Sequence, residues 1–174
     1  MLRAITFTLS AVLLLSAGGA TAGPERIGFP RGYGDSFVRY LDVDRPDRKI
    51  KRVFYVNAAA LEAAAPGEEL PQGTVLIMED HQIELEGEEP KRDAEGRFIA
   101  TDEITNVFVM EKQSGWGADY PAEKRNGDWD YAWFGTDGAL KHSDPARYEG
   151  CFSCHQSRSE RDYTFTFFKY VLDK

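Results

Sequence analysis

The residues whose types and spacing most suggest chemistry are Cys151, Cys154 and His155, in the stretch EGCFSCHQS at 149–157. The chain has two cysteines and three histidines in all. On a helix, positions i, i+3 and i+4 share one face, so both sulfurs and the imidazole can reach one ligand. The spacing C-x-x-C-H is typical of c-type haem attachment. It predicts one haem c, bonded through both thiols at the two vinyl groups of the porphyrin, with His155 binding the iron.

Two other interpretations of this cluster stay open. In an oxidising compartment, Cys151 and Cys154 could form a disulfide or a redox-active thiol pair. Such a pair usually lies at the start of a helix in a βαβ pattern, whereas the preceding residues HSDPARYEG are typical of a loop. A structural zinc ion needs about four ligands, so His81 or His142 would have to complete the set.

The N-terminal residues predict a secretory signal peptide at 1–22. Arg3 supplies the positive charge, an apolar stretch follows, and the small residues ATA at 20–22 are typical of a cleavage site. The apolar stretch is short for a membrane span, which needs about 20 residues, although an uncleaved anchor is the alternative. The sequence therefore predicts a periplasmic or otherwise exported protein, without stable membrane insertion after cleavage near Ala22.

Composition and charge narrow the classes of partner. The chain is 42% hydrophobic and 29% charged, which is typical of a globular domain with a substantial core. Its formal net charge is −8, which excludes a basic surface for nucleic acid and disfavours anionic membranes. A basic protein partner, or no macromolecular partner, fits better. The length predicts one domain at 23–174.

The elements that must position the cluster are mostly strands. We expect strands at 49–57, 71–85, 103–112, 129–135 and 162–172, and short helices at 36–41 and 58–66, with polar loops at 86–97 and 114–128. No long amphipathic helix is present in the pattern, which argues against the helical cytochrome folds. The sequence therefore predicts a mainly β fold with a minor α part: an antiparallel β-sheet domain with a few short helices and the haem on one face.

The sequence after residue 22 resembles the cytochrome P460 family and the related cytochrome c′-β over nearly its whole length. The resemblance lies in the blocks FPRGYGDSFVRY, KRVFYVNAAALE, LPQGTVLIMED, VFVMEKQSG, GDWDYAWF and CFSCHQSRSERDYTFTFFKYVL. It implies a β-sheet fold, a homodimer packed sheet to sheet, and one c-type haem per subunit. By the same resemblance, Cys151 and Cys154 are the thioether sites and His155 is the proximal ligand.

One departure from the family pattern bears on function. The P460 enzymes, which oxidise hydroxylamine, have a lysine bonded to the porphyrin on the strand after an FPxGT turn. Aligning LPQGTVLIMED with that pattern places Met78 at the lysine position, while Lys112 fits a different position. The resemblance then favours a non-enzymatic haem protein that binds a small diatomic gas such as nitric oxide, or transfers electrons to a redox protein partner. The alternative is an oxidoreductase acting on hydroxylamine or another small nitrogen compound.

Several further residues have two interpretations each. Met78 either packs at the haem face or binds the iron opposite His155, which would close the site and raise the reduction potential. Met110 is expected in the core. His81 and His142 lie in polar contexts and are expected at the surface, with a second haem ligand as the alternative. Glu149 is expected to be a solvated loop residue, with a distal proton-transferring acid as the alternative.

Overall fold

The computed structural model describes residues 22–174, and a five-stranded antiparallel sheet forms its centre. The strand order is β1-β2-β3-β6-β7, with a separate two-stranded hairpin of β4 and β5. The strands are β1 (Phe37–Arg45), β2 (Ile50–Asn57), β3 (Val75–Ile83), β4 (Leu85–Glu86), β5 (Glu89–Pro90), β6 (Ala100–Lys112) and β7 (Trp129–Phe134). The predicted mainly β, antiparallel fold with a few short helices is confirmed. Apart from Ala22, the predicted signal peptide lies outside the described residues.

The helices are short, and most of them lie before β1 or after β7 in the sequence. The α-helices are α1 (Tyr33–Ser36), α2 (Ala58–Ala63), α3 (Glu149–Gln156) and α4 (Phe167–Leu172). The 3-10 helices are Pro24–Arg26, Trp116–Asp119, Ala122–Lys124, Pro145–Tyr148 and Ser159–Arg161. Among residues 22–174, no helix is long and apolar enough to cross a membrane.

Two hydrophobic clusters cover the two faces of the sheet. Side chains alternate along a strand, so residues two apart on the same strand point to one face of the sheet. Their direct partners on the neighbouring strands point to that face as well. On the first face, strand residues pack against α3, α4 and the loop before α3: Val56, Leu76, Trp129, Tyr131, Tyr148, Phe167 and Val171. On the second face, strand residues pack against the N-terminal segment: Ile27, Tyr33, Ile77, Val107, Val109, Ala132 and Phe134. The site described below lies on the first face.

The expected helix at 36–41 is wrong, because all of that segment after Ser36 belongs to β1. The short helix ends at Ser36, and Phe37–Arg45 then pairs with β2. The β-branched and aromatic residues of FVRYLDV fit a strand once a partner strand is beside them. The register shifts between Arg39 and Leu41, so Tyr40 lies in an irregularity of the strand, where its ring contacts Phe167 at 5.2 Å.

The expected C-terminal strand at 162–172 is also wrong, since the chain turns and then forms α4. Asp162 and Tyr163 both have positive φ, 47° and 59°, which breaks an extended path. Phe167, Tyr170 and Val171 then follow at i, i+3 and i+4, the spacing of one helix face, and all three join the first-face cluster. Packing of that face on the sheet favours a helix over the strand preference of the aromatic residues.

The polar segment at 86–97 is more ordered than a solvated loop. It contains the β4–β5 hairpin, and an isolated bridge pairs Arg92 with Phe98. Asp44 of β1 accepts hydrogen bonds from the Arg97 side chain and the Phe98 backbone nitrogen, both at 3.0 Å. These contacts tie the far end of the segment to the sheet.

Candidate haem-binding site

Helix α3 carries the cysteines and the histidine, and its start is fixed to the sheet by Tyr148. Asp144 begins the preceding 3-10 helix, because its side chain accepts a hydrogen bond from the Ala146 nitrogen at 3.0 Å. The buried Tyr148 hydroxyl donates to the His142 carbonyl oxygen at 2.9 Å and accepts from the Trp133 nitrogen at 3.3 Å. Helix α3 therefore begins at Glu149, directly after Tyr148, whose side chain is anchored to β7.

Cys151, Cys154 and His155 lie on one side of α3, as their spacing predicts. Cys151 and His155 are partly buried, and Cys154 is exposed. The opposite side of the helix carries Glu149 and Ser153, both exposed. The thiols and the imidazole therefore face the same region of space.

The imidazole of His155 is oriented by a backbone hydrogen bond. Its Nδ1 lies 2.6 Å from the carbonyl oxygen of Tyr163. A carbonyl only accepts, so Nδ1 carries the proton and Nε2 keeps its lone pair. The ring lies between two aromatic rings, with centroids 4.9 Å from Tyr131 and 5.1 Å from Phe165. Burial lowers the pKa of His155 below its usual range, although the Tyr163 carbonyl opposes this, so the imidazole is neutral at neutral pH.

A buried ion pair holds the turn that supplies the Tyr163 carbonyl. Asp162 precedes Tyr163 and accepts a hydrogen bond from Lys112 Nζ at 2.8 Å; the two side chains are 5% and 3% exposed. Trp129 Nε1 donates to the other carboxylate oxygen of Asp162 at 3.2 Å, and the Leu70 nitrogen donates to Oδ2 at 2.9 Å. The position of the His155 ring thus depends on contacts from β6 and β7.

Both cysteines are free thiols. Burial, helped by the negative charge that a Cys154 thiolate would bring, raises the pKa of Cys151, which keeps its thiol protonated at neutral pH. Within residues 22–174, no three His, Cys, Asp or Glu side chains form a group that could hold a metal ion between them.

A row of apolar side chains crosses the first face of the sheet beside this cluster. Phe54, Met78, Phe108 and Trp133 are direct partners on four adjacent strands, and we call them the apolar row. All four are only partly buried. The residues two positions away on the same strands form a neighbouring row, which the helices cover. In that row Val56 is 0%, Leu76 7% and Tyr131 4% exposed.

Two members of the apolar row contact each other, and the row lies on the same face of the sheet as Tyr131, whose ring contacts His155. Trp133 stacks on Phe108 with ring centroids 5.3 Å apart, and its Nε1 donates to Asn106 Oδ1 at 2.9 Å. Tyr131, which contacts His155, lies two residues before Trp133 on the same face of β7. The histidine and the apolar row therefore border one region.

Three further residues considered from the sequence lie in different places. Met110 packs against the first-face cluster, in the core as expected. Glu149 is exposed and pairs with Lys124 at 3.1 Å, on the side of α3 away from His155. His142 is partly buried, with its ring 5.4 Å from Trp133.

His81 is partly buried, with its side chain 14% exposed. Its Nε2 lies 2.7 Å from the buried carboxylate of Glu79, on the second face of the sheet, and its Nδ1 lies 3.1 Å from the Thr101 carbonyl oxygen. The polar residues EDHQI gave no sign of this pairing with Glu79, because alternate residues of a strand face opposite sides of the sheet.

Sequence reasoning missed the residues that orient His155 and, apart from Met78, those that form the apolar row. Tyr163 contributes through a backbone carbonyl, which leaves no trace in residue type. The aromatic alternation in WDYAWF was a usable signal, since Trp129, Tyr131 and Trp133 share one face of β7. It could not say which face lies under α3.

A family model described as cytochrome P460 matches residues 30–166, which is most of the chain. The match spans all seven strands and the Cys151–His155 cluster. This chain belongs to the cytochrome P460 family. Membership makes it a haem c cytochrome. No curated protein matches the sequence at a significant level.

The residues present fit the haem of a P460-family cytochrome. His155 offers a neutral, oriented nitrogen without a hydrogen-bond partner in the described structure. The two thiols lie on the same side of α3, and the apolar row offers a flat, partly exposed hydrophobic surface for a porphyrin. A bound haem supplies the redox and ligand-binding chemistry, and the protein supplies its orientation.

Proposed function

We propose that this P460-family chain is an exported cytochrome that binds a small diatomic gas such as nitric oxide, or transfers electrons, through one haem bonded covalently to Cys151 and Cys154. His155 is the proximal ligand. The observation that carries the proposal is the His155 ring, which contacts Tyr131 on the first face of the sheet and is held at Nδ1 by the Tyr163 carbonyl, with no hydrogen bond at Nε2 in the described structure. Histidines that bind metals commonly donate their other ring N–H to such an acceptor.

Met78 supports a non-enzymatic role over hydroxylamine oxidation. The resemblance puts Met78 at the position of the porphyrin-bonded lysine, and its side chain belongs to the apolar row between Phe54 and Phe108. A thioether has no amine with which to form that bond. Lys112 does not replace the missing lysine, because its ammonium is buried in the pair with Asp162.

Export, dimerisation and a redox partner belong to the same proposal. Members of the family are typically exported, which agrees with the predicted signal peptide at 1–22. Thioether attachment of haem takes place after export, so the two predictions depend on each other. The family resemblance further suggests a homodimer, which sedimentation of the purified protein tests directly.

Covalent attachment is tested on the exported protein by acid–acetone extraction and intact mass. We expect the haem to remain with the polypeptide, and the mass to equal the chain from Gly23 plus one haem. Cys151→Ala and Cys154→Ala should each remove one thioether and shift the haemochrome absorption band. Ser153→Ala is the matched control, since Ser153 is exposed on the opposite side of α3. Extractable haem in the unmodified protein would overturn the attachment.

Function is tested with the same protein in its ferrous and ferric states. We expect an ordinary haem c spectrum without the red-shifted band of the P460 enzymes, binding of nitric oxide and carbon monoxide, and negligible hydroxylamine oxidation. Robust hydroxylamine turnover would instead support the oxidoreductase alternative and show that Met78 was aligned with the wrong position.

A further inference from the structure

The backbone nitrogen of Gly23 lies in a buried cluster of polar groups around Asp130. It donates to Asp130 Oδ2 at 3.2 Å, and the Asp130 side chain is 1% exposed. The same oxygen accepts from Arg26 Nε at 2.6 Å and from the Tyr120 hydroxyl at 2.9 Å. Three donors, two from the N-terminal segment and one from the loop before β7, therefore meet at one carboxylate oxygen.

The buried carboxylate of Asp130 shares its counter-charge with a second carboxylate. Arg26, whose side chain is 2% exposed, also pairs with Asp119 at 2.8 Å, so one guanidinium serves two carboxylates. Burial and the Asp130 charge raise the pKa of Tyr120, which therefore donates as a neutral phenol. Asp119 is 47% exposed, so water also solvates its charge, whereas Asp130 is 1% exposed and depends on this shared guanidinium and on neutral donors.

The structure around Gly23 suits a residue without a side chain. Its φ of 134° lies where glycine is favoured, and a Cβ built on it would lie 3.2 Å from Pro145 Cγ. Gly23 also borders a cavity of about 630 Å³ that continues to Tyr120 and the outer side of α3. The cavity leaves space beside the nitrogen for added hydrogens and their hydration.

We infer that removal of the signal peptide creates a Gly23 ammonium that pairs with Asp130 and completes this buried cluster, so that maturation itself stabilises the fold. Hydrolysis of the Ala22–Gly23 peptide bond by a signal peptidase adds water, giving a carboxylate at Ala22 and an amine at Gly23. The amine takes a proton from solvent, since α-amines have a pKa near 7.7–8.0. Its positive charge gives Asp130 a second ionic partner besides Arg26.

The cluster also connects maturation to the strand beneath α3. Asp130 Oδ1 accepts from the Tyr131 nitrogen at 2.8 Å, and Tyr131 contacts the His155 ring. The inference depends on the predicted export and cleavage but not on the ligand of the haem. Its test therefore uses readouts of the N-terminus and of stability, which remain informative whatever the haem binds.

The first test measures access to the N-terminal amine of the exported holoprotein. Intact mass should show a chain beginning at Gly23. An amine-reactive succinimidyl ester at mildly acidic pH should label that amine at least tenfold more slowly in the native protein than in urea. A variant with one serine inserted between Ala22 and Gly23 should leave an amine that labels rapidly in the native state. A mature chain beginning elsewhere, or a native amine that labels as fast as in urea, would overturn the inference.

The second test is a double-mutant cycle on thermal stability. The serine insertion should lower the melting temperature by about 5 °C in the otherwise unmodified protein. In an Asp130→Asn background it should have little further effect, because the ammonium no longer has a charged partner. Asp119→Asn is the matched control: its partly exposed carboxylate does not contact Gly23, so the full effect of the insertion should persist. An equal loss in the unmodified and Asp130→Asn backgrounds would contradict the pairing.

Discussion

Lys112 Nζ lies 2.8 Å from Asp162 Oδ2, and the two residues join β6 to the turn that orients His155. They are 50 positions apart in the sequence. Both side chains are nearly excluded from solvent, at 3% and 5% exposure. The Tyr163 carbonyl that accepts from His155 follows directly in the chain, so this pair acts on the haem site without touching it.

Lys112→Met should destabilise the protein strongly. Removing the ammonium leaves the Asp162 carboxylate buried without a counter-charge, which costs about 3–5 kcal/mol of unfolding free energy in denaturant titrations. Lys91→Met is the matched control, because Lys91 pairs with Glu84 at the surface and its loss should have no measurable effect. Equal behaviour of the two variants would contradict the structural role of Lys112.

The same pair should affect the haem electronically. Asp162→Asn weakens the hold on the turn, so the hydrogen bond from His155 Nδ1 to the Tyr163 carbonyl becomes less well ordered and the imidazole less basic. We expect a raised haem midpoint potential with haem content unchanged. Redox titration checks the shift, and an unchanged potential would show that the turn keeps its geometry without the pair.

Met78→Ala should open the haem face. Met78 lies in the middle of the apolar row, so truncation should speed carbon monoxide association measured by flash photolysis. Met110→Ala is the matched control: it makes the same change in the first-face cluster, two positions from Phe108 on β6. It should lower stability, by about 2 kcal/mol, without changing the association rate. A rate unaffected by Met78→Ala would place Met78 away from the ligand path.

Glu149→Gln should leave gas binding and the haem spectrum unchanged. Its carboxylate pairs with Lys124 at the surface, with side chains 66% and 59% exposed, and lies on the side of α3 away from His155. The effect on unfolding free energy should stay below about 1 kcal/mol. A change in the pH dependence of ligand binding would restore the alternative of a distal acid.

The Glu79–His81 pair should give stability a defined pH dependence. The Glu79 hydrogen bond raises the pKa of His81 above 6.5, so its contribution is complete below pH 6.5 and is lost as pH rises through the raised value. Burial favours the protonated form of Glu79, but hydrogen bonds from His81 and Tyr33 lower its pKa below 4.5 overall. That contribution is complete above pH 4.5 and is lost as pH falls through the lowered value.

Denaturant unfolding at a series of pH values measures this dependence. The unmodified protein should have a higher unfolding free energy than His81→Gln. This difference should be greatest between pH 4.5 and 6.5 and should decline above that range. Glu79→Gln should flatten the alkaline decline, because the imidazole then lacks its carboxylate. A decline that persists in Glu79→Gln would assign it to another group.

Local sequence determined much of this molecule. The strands β2, β3, β6 and β7 lie close to their predicted places, because β-branched and aromatic residues favour extended chain over short ranges. Helix α2 also matches, since a run of alanine and leucine needs no partner to favour helix. The spacing of Cys151, Cys154 and His155 fixed their common side on α3, because helical geometry alone sets it.

Tertiary structure decided what depends on distant partners. Phe37–Arg45 became a strand because β2 pairs with it, and Phe167–Leu172 became a helix because the sheet covers one face of it. The apolar row exists only through the register of four strands. The sequence by itself determined which residues could bond haem. Only the fold determined how His155 is held, through contacts such as that of Lys112 with Asp162. Such contacts depend on long-range register and burial, which local sequence does not set.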